Sequence, residues 1–272
     1  MKRGEVTPGS ARALVTGAGS GIGRCYALRL AALGYDLVLA GNRREPLEAV
    51  AAEIRAAADR CDVRIVEIDL ARAEAAAELW EAVRREGVTV DILINNAGIF
   101  SFRDILATPP ERIERILLLH TLTNTQLCRL AAADMVRRGC RGYILNMSSY
   151  SLWMPFPGLS LYSASKAYLR SFSVAFAKEV REHGIRVKIA VGQKTVHAVE
   201  HAVTAVNPFV VVAFGFEYAA QTVQFFAARQ AEDGQTGKRG QRKVYRFNGA
   251  RAVASGGVSV WKIKALFGQL LQ

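Results

Sequence analysis

Between Ala13 and Gly23 a short apolar stretch, Ala13-Leu14-Val15, leads through Thr16-Gly17-Ala18-Gly19-Ser20-Gly21-Ile22-Gly23 into a segment with helical periodicity. Few folds accommodate that order. A strand that ends in a glycine-rich turn and passes straight into a helix aims backbone N–H groups, and the positive end of the helix, at one spot. That spot suits a pyrophosphate. Gly17 is expected to allow the tight turn, Gly21 the close approach of a bound group, and Gly23 close packing of strand against helix. A glycine-rich stretch alone marks only a flexible turn; the strand before it and the helix after it give it meaning.

The same texture repeats along the chain. Runs rich in Val, Ile and Leu lie at 12–16, 36–40, 63–68, 90–95, 142–147 and 185–191, each short enough for a strand buried on both faces. Between them, at 22–33, 46–58, 72–86, 110–138 and 162–183, lie Ala/Leu/Arg/Glu stretches that read as amphipathic helices. Strand–helix alternation of this kind predicts an α/β fold: a doubly wound parallel sheet with helices on both faces, in three layers. The 272 residues, 51% hydrophobic, are read as one domain, 1–272. No window approaches the roughly 20 uncharged apolar residues of a membrane helix. Met1 to Ser10 is polar and lacks an apolar leader core, so a cytoplasmic protein is expected. Cys25, Cys61, Cys128 and Cys140 show neither metal-site nor disulfide spacing and read as isolated thiols.

Three further motifs follow the glycine loop, whose spacing is G-x-x-x-G-x-G. Asp69-Leu70 ends the third apolar run, Asn95-Asn96-Ala97-Gly98 ends the fourth, and Tyr162-Ser163-Ala164-Ser165-Lys166 opens the last helical stretch. In this order and spacing the set resembles the short-chain dehydrogenase/reductase family over about residues 10–187. The resemblance implies a Rossmann-type domain and hydride transfer between a nicotinamide cofactor, NAD or NADP, and a carbonyl or alcohol. It implies that Gly17, Gly19, Ser20, Gly21, Ile22 and Gly23 cradle the pyrophosphate, that Asp69 and Leu70 meet the adenine, and that Asn96, Ala97 and Gly98 support the cofactor. Tyr162 and Lys166 would serve both cofactor and chemistry. Family habit implies a homodimer or homotetramer through the fourth and fifth helices.

The end of the second strand bears on NAD against NADP. It reads Leu39-Ala40-Gly41-Asn42-Arg43-Arg44, with no acid before Glu45 to hold ribose hydroxyls. Asn42, Arg43 and Arg44 are therefore expected to meet a 2′-phosphate, which makes NADP the expected cofactor and NAD the alternative. The other reading is two arginines that solvate a helix start.

Tyr162 and Lys166, four apart, share one face of a helix. Free tyrosine titrates near pH 10; an adjacent ammonium stabilises the phenolate and makes Tyr162 a usable acid and base. Ser149, in Asn146-Met147-Ser148-Ser149, is expected to orient the substrate oxygen, with Ser148 turned the other way. Where the family places an Asn in the long helix, this chain has His120, which reads either as a proton relay or as a hydrogen-bonded buried histidine; Asn124 is a second candidate. Phe100, Phe102, Trp153, Met154, Pro155, Phe156 and Pro157 are candidates for the lining of an apolar pocket for a small-molecule hydrophobic carbonyl or alcohol, such as a ketone, a steroid-like or an acyl group, with plain loop packing as the other reading.

After about residue 187 the pattern stops. Ala190-Val191-Gly192-Gln193-Lys194-Thr195-Val196 lacks the family's Pro-Gly, and Ser255-Gly256-Gly257 matches its last strand only faintly. Either the lid and tail diverge, or the chain leaves the ancestral reading frame near residue 188. The second case leaves a rival function open: a nucleotide-binding protein with weak or no catalysis. His197-Ala198-Val199-Glu200-His201 matches a short zinc-protease pattern without a third ligand, and no metal is expected. Trp261 to Leu271 places apolar residues on one helical face. Of the net charge of +12, residues 191–272 supply about half, with ten Lys/Arg against four Asp/Glu. No nucleic-acid-binding signature accompanies this charge, and none is expected to bind.

Overall fold

The structure, a computed structural model, describes residues 6–153 and 156–191 with their side chains, and 211–212, 243–247 and 250–254 as backbone. The tail segments singled out above, 192–201, 255–257 and 261–271, and Met154 and Pro155, lie outside the described residues. The chain divides into two compact units, Met1–Ala213 and Phe214–Gln272. In the second, strands Lys243–Phe247 and Ala250–Ala254 pair antiparallel.

In the first unit all six expected strands form: β1 Arg12–Thr16, β2 Asp36–Gly41, β3 Val63–Glu67, β4 Ile92–Asn95, β5 Gly142–Met147 and β6 Ile185–Val191. A short seventh strand, β7 Val211–Val212, pairs parallel with β6. The order across the sheet is β3-β2-β1-β4-β5-β6-β7, and every pairing is parallel. Alternate residues of each central strand feed opposite faces, as period-2 geometry requires. Leu14 and Leu93 join one buried cluster; Ala13, Val15, Ile92 and Ile94 join the other.

Helices α1 Gly21–Ala32 and α2 Arg44–Ala57 cover the second of these faces, with Leu30, Leu47, Val50 and Ile54 buried in its cluster. The other face takes α3 Ala75–Arg85 through Leu79, Trp80 and Val83. The run read as one helix over 110–138 is α4 Pro110–Leu117, a π-helical turn Leu118–Thr123, and α5 Asn124–Arg138. Pro110 stands at the first helical position, where its missing N–H is harmless. The next helix, α6 Ser160–Glu179, lays Phe172 and Phe176 against the α3–α5 cluster. Each fully buried Leu contributes about 1.5–3 kcal/mol, so the two clusters hold the sheet between its helix layers.

Candidate active and cofactor site

The chain goes from β1 outward to β2 and β3, then returns to β4 on the opposite side of β1. Such a reversal opens a crevice at the carboxyl ends of the two central strands, where open α/β sheets bind ligands. The glycine loop follows β1 there, and Asn95 to Ile99 follow β4.

Gly17 adopts φ +64°, in the left-handed region that favours glycine. A Cβ on Gly23 would stand 2.2 Å from Gly17 O and 2.5 Å from Asn96 Nδ2, so strand and helix meet at a distance only glycine allows. Gly21, at φ +54°, faces open space. Ser20 precedes α1 without a side-chain capping bond, and no acid occupies the first turn. The first N–H groups of a 12-residue helix therefore open towards the crevice with neither a capping bond from Ser20 nor an acid of their own first turn upon them. This donor set fits a pyrophosphate. Asn96 lies one step back: its Nδ2 donates to Thr16 O at 3.0 Å and Gly17 O at 3.2 Å. Thr16 Oγ1 in turn accepts from the N–H groups of Asn96 and Ala97. The Asn96-Ala97-Gly98 motif thus buckles the glycine loop to β4.

Along the β2 end, Asn42, Arg43 and Arg44 are exposed. Arg43 precedes α2 in extended conformation, and Arg44 pairs with Glu48 at 2.8 Å. Asp69 accepts from Ala71 N at 3.0 Å and pairs with Arg115 of α4 at 3.0 Å. Burial works against its charge, but these two donors outweigh it and hold the carboxyl below its ordinary value. Leu70 is buried, and its carbonyl accepts from Thr123. The Arg115 contact has no local sequence signal; it spans 46 positions and arises only when α4 folds over β3's exit.

On α6, Lys166 is 4% exposed. Its ammonium donates to Met147 O at 2.9 Å and lies 5.7 Å from the centroid of the Tyr162 ring. Burial pushes its pKa down to about 8. Ser148 Oγ is spent on Lys166 O at 3.0 Å, whereas Ser149 Oγ accepts from Ser151 N–H at 3.2 Å and Ser151 Oγ at 3.0 Å. The Tyr162 ring is held edge-on by Phe100 at 5.1 Å and by His120 at 5.7 Å. His120 sits in the π-helical turn and is fully buried. Ile99 N donates to its Nε2 at 2.9 Å, and its Nδ1 lies 2.8 Å from Ser165 Oγ. Burial, then Lys166, push its pKa down to about 2. Asn124 donates to the carbonyl of His120 at 3.1 Å.

The approach to Tyr162 is apolar. Phe100 is 49% and Trp153 45% exposed, and Trp153 packs edge-on against Tyr150 at 5.3 Å. Phe102 rests against Gly158, and Arg103 N donates to Gly158 O at 2.8 Å, which joins the loop after β4 to the loop before α6. Among the described residues no group of three metal-ligating side chains occurs, and no helix is long and apolar enough to cross a membrane.

Comparison with known proteins agrees with this geometry. The family model for the short chain dehydrogenase matches residues 11–203, past Val187 where the motifs end. A very-long-chain 3-oxoacyl-CoA reductase of Coccidioides immitis is 35% identical over 188 residues, 68% of this chain and 53% of that protein. The 17-beta-hydroxysteroid dehydrogenase type 3 of Mus musculus is 35% identical over 180 residues, 65% and 57% of the two chains. The chain thus spans about half the length of these curated relatives. A metagenomic short-chain oxidoreductase solved in complex with NADP superposes with a TM-score of 0.69 at 28% identity, over 77% of this chain and 98% of that one. With the glycine loop, the buckled β4 turn and the Tyr162/Lys166 helix in their places, the chain belongs to the short-chain dehydrogenase family.

Proposed function

We propose that the chain is an NADP-dependent oxidoreductase acting on a bulky apolar ketone or the corresponding secondary alcohol, with 3-oxoacyl and steroid ketones within its range. The observation that carries the reading is the buried Lys166 ammonium 5.7 Å from the Tyr162 ring, one helix turn away on α6 and beside the Gly98 turn of the cofactor crevice.

The first turn of α1 and the glycine loop would hold the pyrophosphate, Arg43 a 2′-phosphate, and Lys166 the nicotinamide ribose. Bound there, the cofactor supplies or accepts the hydride. Tyr162 donates its phenolic proton to the carbonyl oxygen in reduction and takes it back in oxidation. The Lys166 ammonium lowers the cost of the phenolate. Ser149 accepts two hydrogen bonds from Ser151, which fills its two lone pairs and leaves its O–H to donate to the substrate oxygen. Phe100 and Trp153 give an apolar approach that excludes water from that oxygen. The NADP of the metagenomic relative and the ketone chemistry in the names of the curated relatives support this reading.

The test is titration of the purified chain with NADPH and NADH by fluorescence, followed by turnover against aryl ketones, a 17-ketosteroid and a 3-oxoacyl thioester. NADPH binding with turnover that vanishes in Tyr162→Phe is the expected result. Binding without turnover in any direction would replace it with a nucleotide-binding role.

A further inference from the structure

Single π turns inside α-helices are uncommon and concentrate where a side chain must be re-aimed. In the turn Leu118–Thr123 that side chain is His120, and it meets three parts of the site at once: the Ile99 amide after β4, Ser165 on α6, and the edge of the Tyr162 ring. The carbonyl of His120 is closed off by the Asn124 side chain.

The hydrogen bonds admit one assignment. A backbone N–H only donates, so Nε2 carries a lone pair. Ser165 Oγ spends its single proton on the carbonyl of Tyr162 at 2.7 Å, so it accepts from Nδ1, and Nδ1 carries the imidazole proton. The chain runs one way, from Ile99 N–H through the ring and Ser165 O–H to the backbone of Tyr162. An imidazolium would set a second N–H against Ile99 N–H and a second cation beside Lys166. A proton relay needs a nitrogen that takes up and releases a proton towards the reaction; both nitrogens here are committed to protein groups.

We infer that His120 is a positioning residue: a neutral, Nδ1-protonated clasp that ties the Gly98–Ile99 turn to the Tyr162–Lys166 turn of α6 and so sets the Tyr162 ring. The inference rests on the oxidoreductase reading above.

The test uses the full chain with NADPH and an aryl ketone. His120→Phe keeps an aromatic ring and loses both hydrogen bonds; His120→Asn keeps a donor near Nδ1, and His120→Gln an acceptor near Nε2. Ser165→Ala cuts the same chain from α6 without touching the π turn. His120→Phe is expected to lower kcat on the order of 10²-fold, the scale of a misplaced reacting group. Asn and Gln should each recover part of it, with NADPH affinity and the shape of the pH profile unchanged. Added to Ser165→Ala, His120→Phe should cost much less than it does alone. Nitrogen NMR of the wild-type chain should show a neutral, Nδ1-protonated His120 between about pH 5 and 8. Wild-type kcat in His120→Phe, an imidazolium or Nε2–H signal, or a pH limb that disappears on substitution would overturn the clasp. A folded wild-type chain that binds NADPH without turnover would sink the oxidoreductase reading instead, and the NMR signal would still decide the tautomer.

Discussion

The Asn96 side-chain amide lies 2.5 Å from the point that a Cβ on Gly23 would occupy, and it is the same amide that holds Thr16 O and Gly17 O. One methyl group on α1 would therefore press on the link between the glycine loop and β4, and on Gly17 O at 2.2 Å as well. The Gly17 contacts, its O at 2.2 Å and its C at 2.8 Å, are backbone and cannot swing away. Gly23→Ala is expected to cost about 1–3 kcal/mol of stability, the usual range for overpacking. It should also abolish measurable NADPH binding, because the loop and the first turn of α1 move together. Urea unfolding and fluorescence titration check both; NADPH affinity equal to wild type would mean that the loop relaxes without cost.

Arg115 of α4 pairs with Asp69 at 3.0 Å beyond the end of β3, on the side of the crevice where the proposed cofactor would place its adenine. Both side chains are more than a third exposed, so the pair itself is worth at most about 1 kcal/mol. Arg115→Ala should leave kcat unchanged and raise KM for NADPH severalfold, since it loosens a wall remote from the hydride. The depressed carboxyl pKa makes whatever stability the pair gives present above about pH 4 and lost as the pH falls below it. Thermal unfolding at neutral and acid pH should show a wild-type advantage only at neutral pH. An equal drop in kcat would place Arg115 in the chemistry.

The strands and most helix bounds are legible in the sequence because burial on both faces leaves only Val, Ile, Leu and Ala at 13–15, 37–40 and 92–94. The glycine loop is legible because a clash such as that at Gly23 tolerates no other residue. The π turn is not legible: one extra residue in a helix of four or more turns leaves the apolar stripe of 110–138 nearly intact. Nor is the work of Asn96, whose side-chain amide donates to the carbonyls of Thr16 and Gly17, or the pairing of Arg115 with Asp69. These depend on which distant backbone the fold brings alongside. The choice between Ser148 and Ser149 is half legible, since alternation turns them apart but only α6 decides which one it binds.

Arg43 and Arg44 look equivalent in sequence, and the structure separates them. Arg44 is paired with Glu48, whereas Arg43 is exposed in extended backbone at the head of α2. A 2′-phosphate on Arg43 would gain a charge-assisted hydrogen bond of about 1.5–3 kcal/mol. Arg43→Glu should therefore raise KM for NADPH by roughly 10- to 100-fold and leave KM for NADH little changed. Arg44→Ala should do far less. A larger effect at Arg44, or equal losses with both cofactors, would remove Arg43 from phosphate recognition.

The ammonium of Lys166 titrates near 8 because burial disfavours its charge, well below the ordinary lysine value of 10.5. In the proposed mechanism reduction needs that charge beside Tyr162, so the rate is present below the folded pKa and lost as the pH rises through it. The log of kcat/KM for ketone reduction at saturating NADPH should turn down near pH 8. Stability runs the other way: between about 8 and 10.5 the unfolded chain holds a proton that the folded chain has released, so this group favours folding more as the pH rises. A fall in activity near pH 8 without a matching fall in melting temperature would separate the two effects. Lys166→Arg keeps a cation at any accessible pH; its bulk should lower the rate overall, but the limb should leave the pH 8 region. A limb that stays near 8 in Lys166→Arg would assign it to another group and take Lys166 out of the acid–base chemistry.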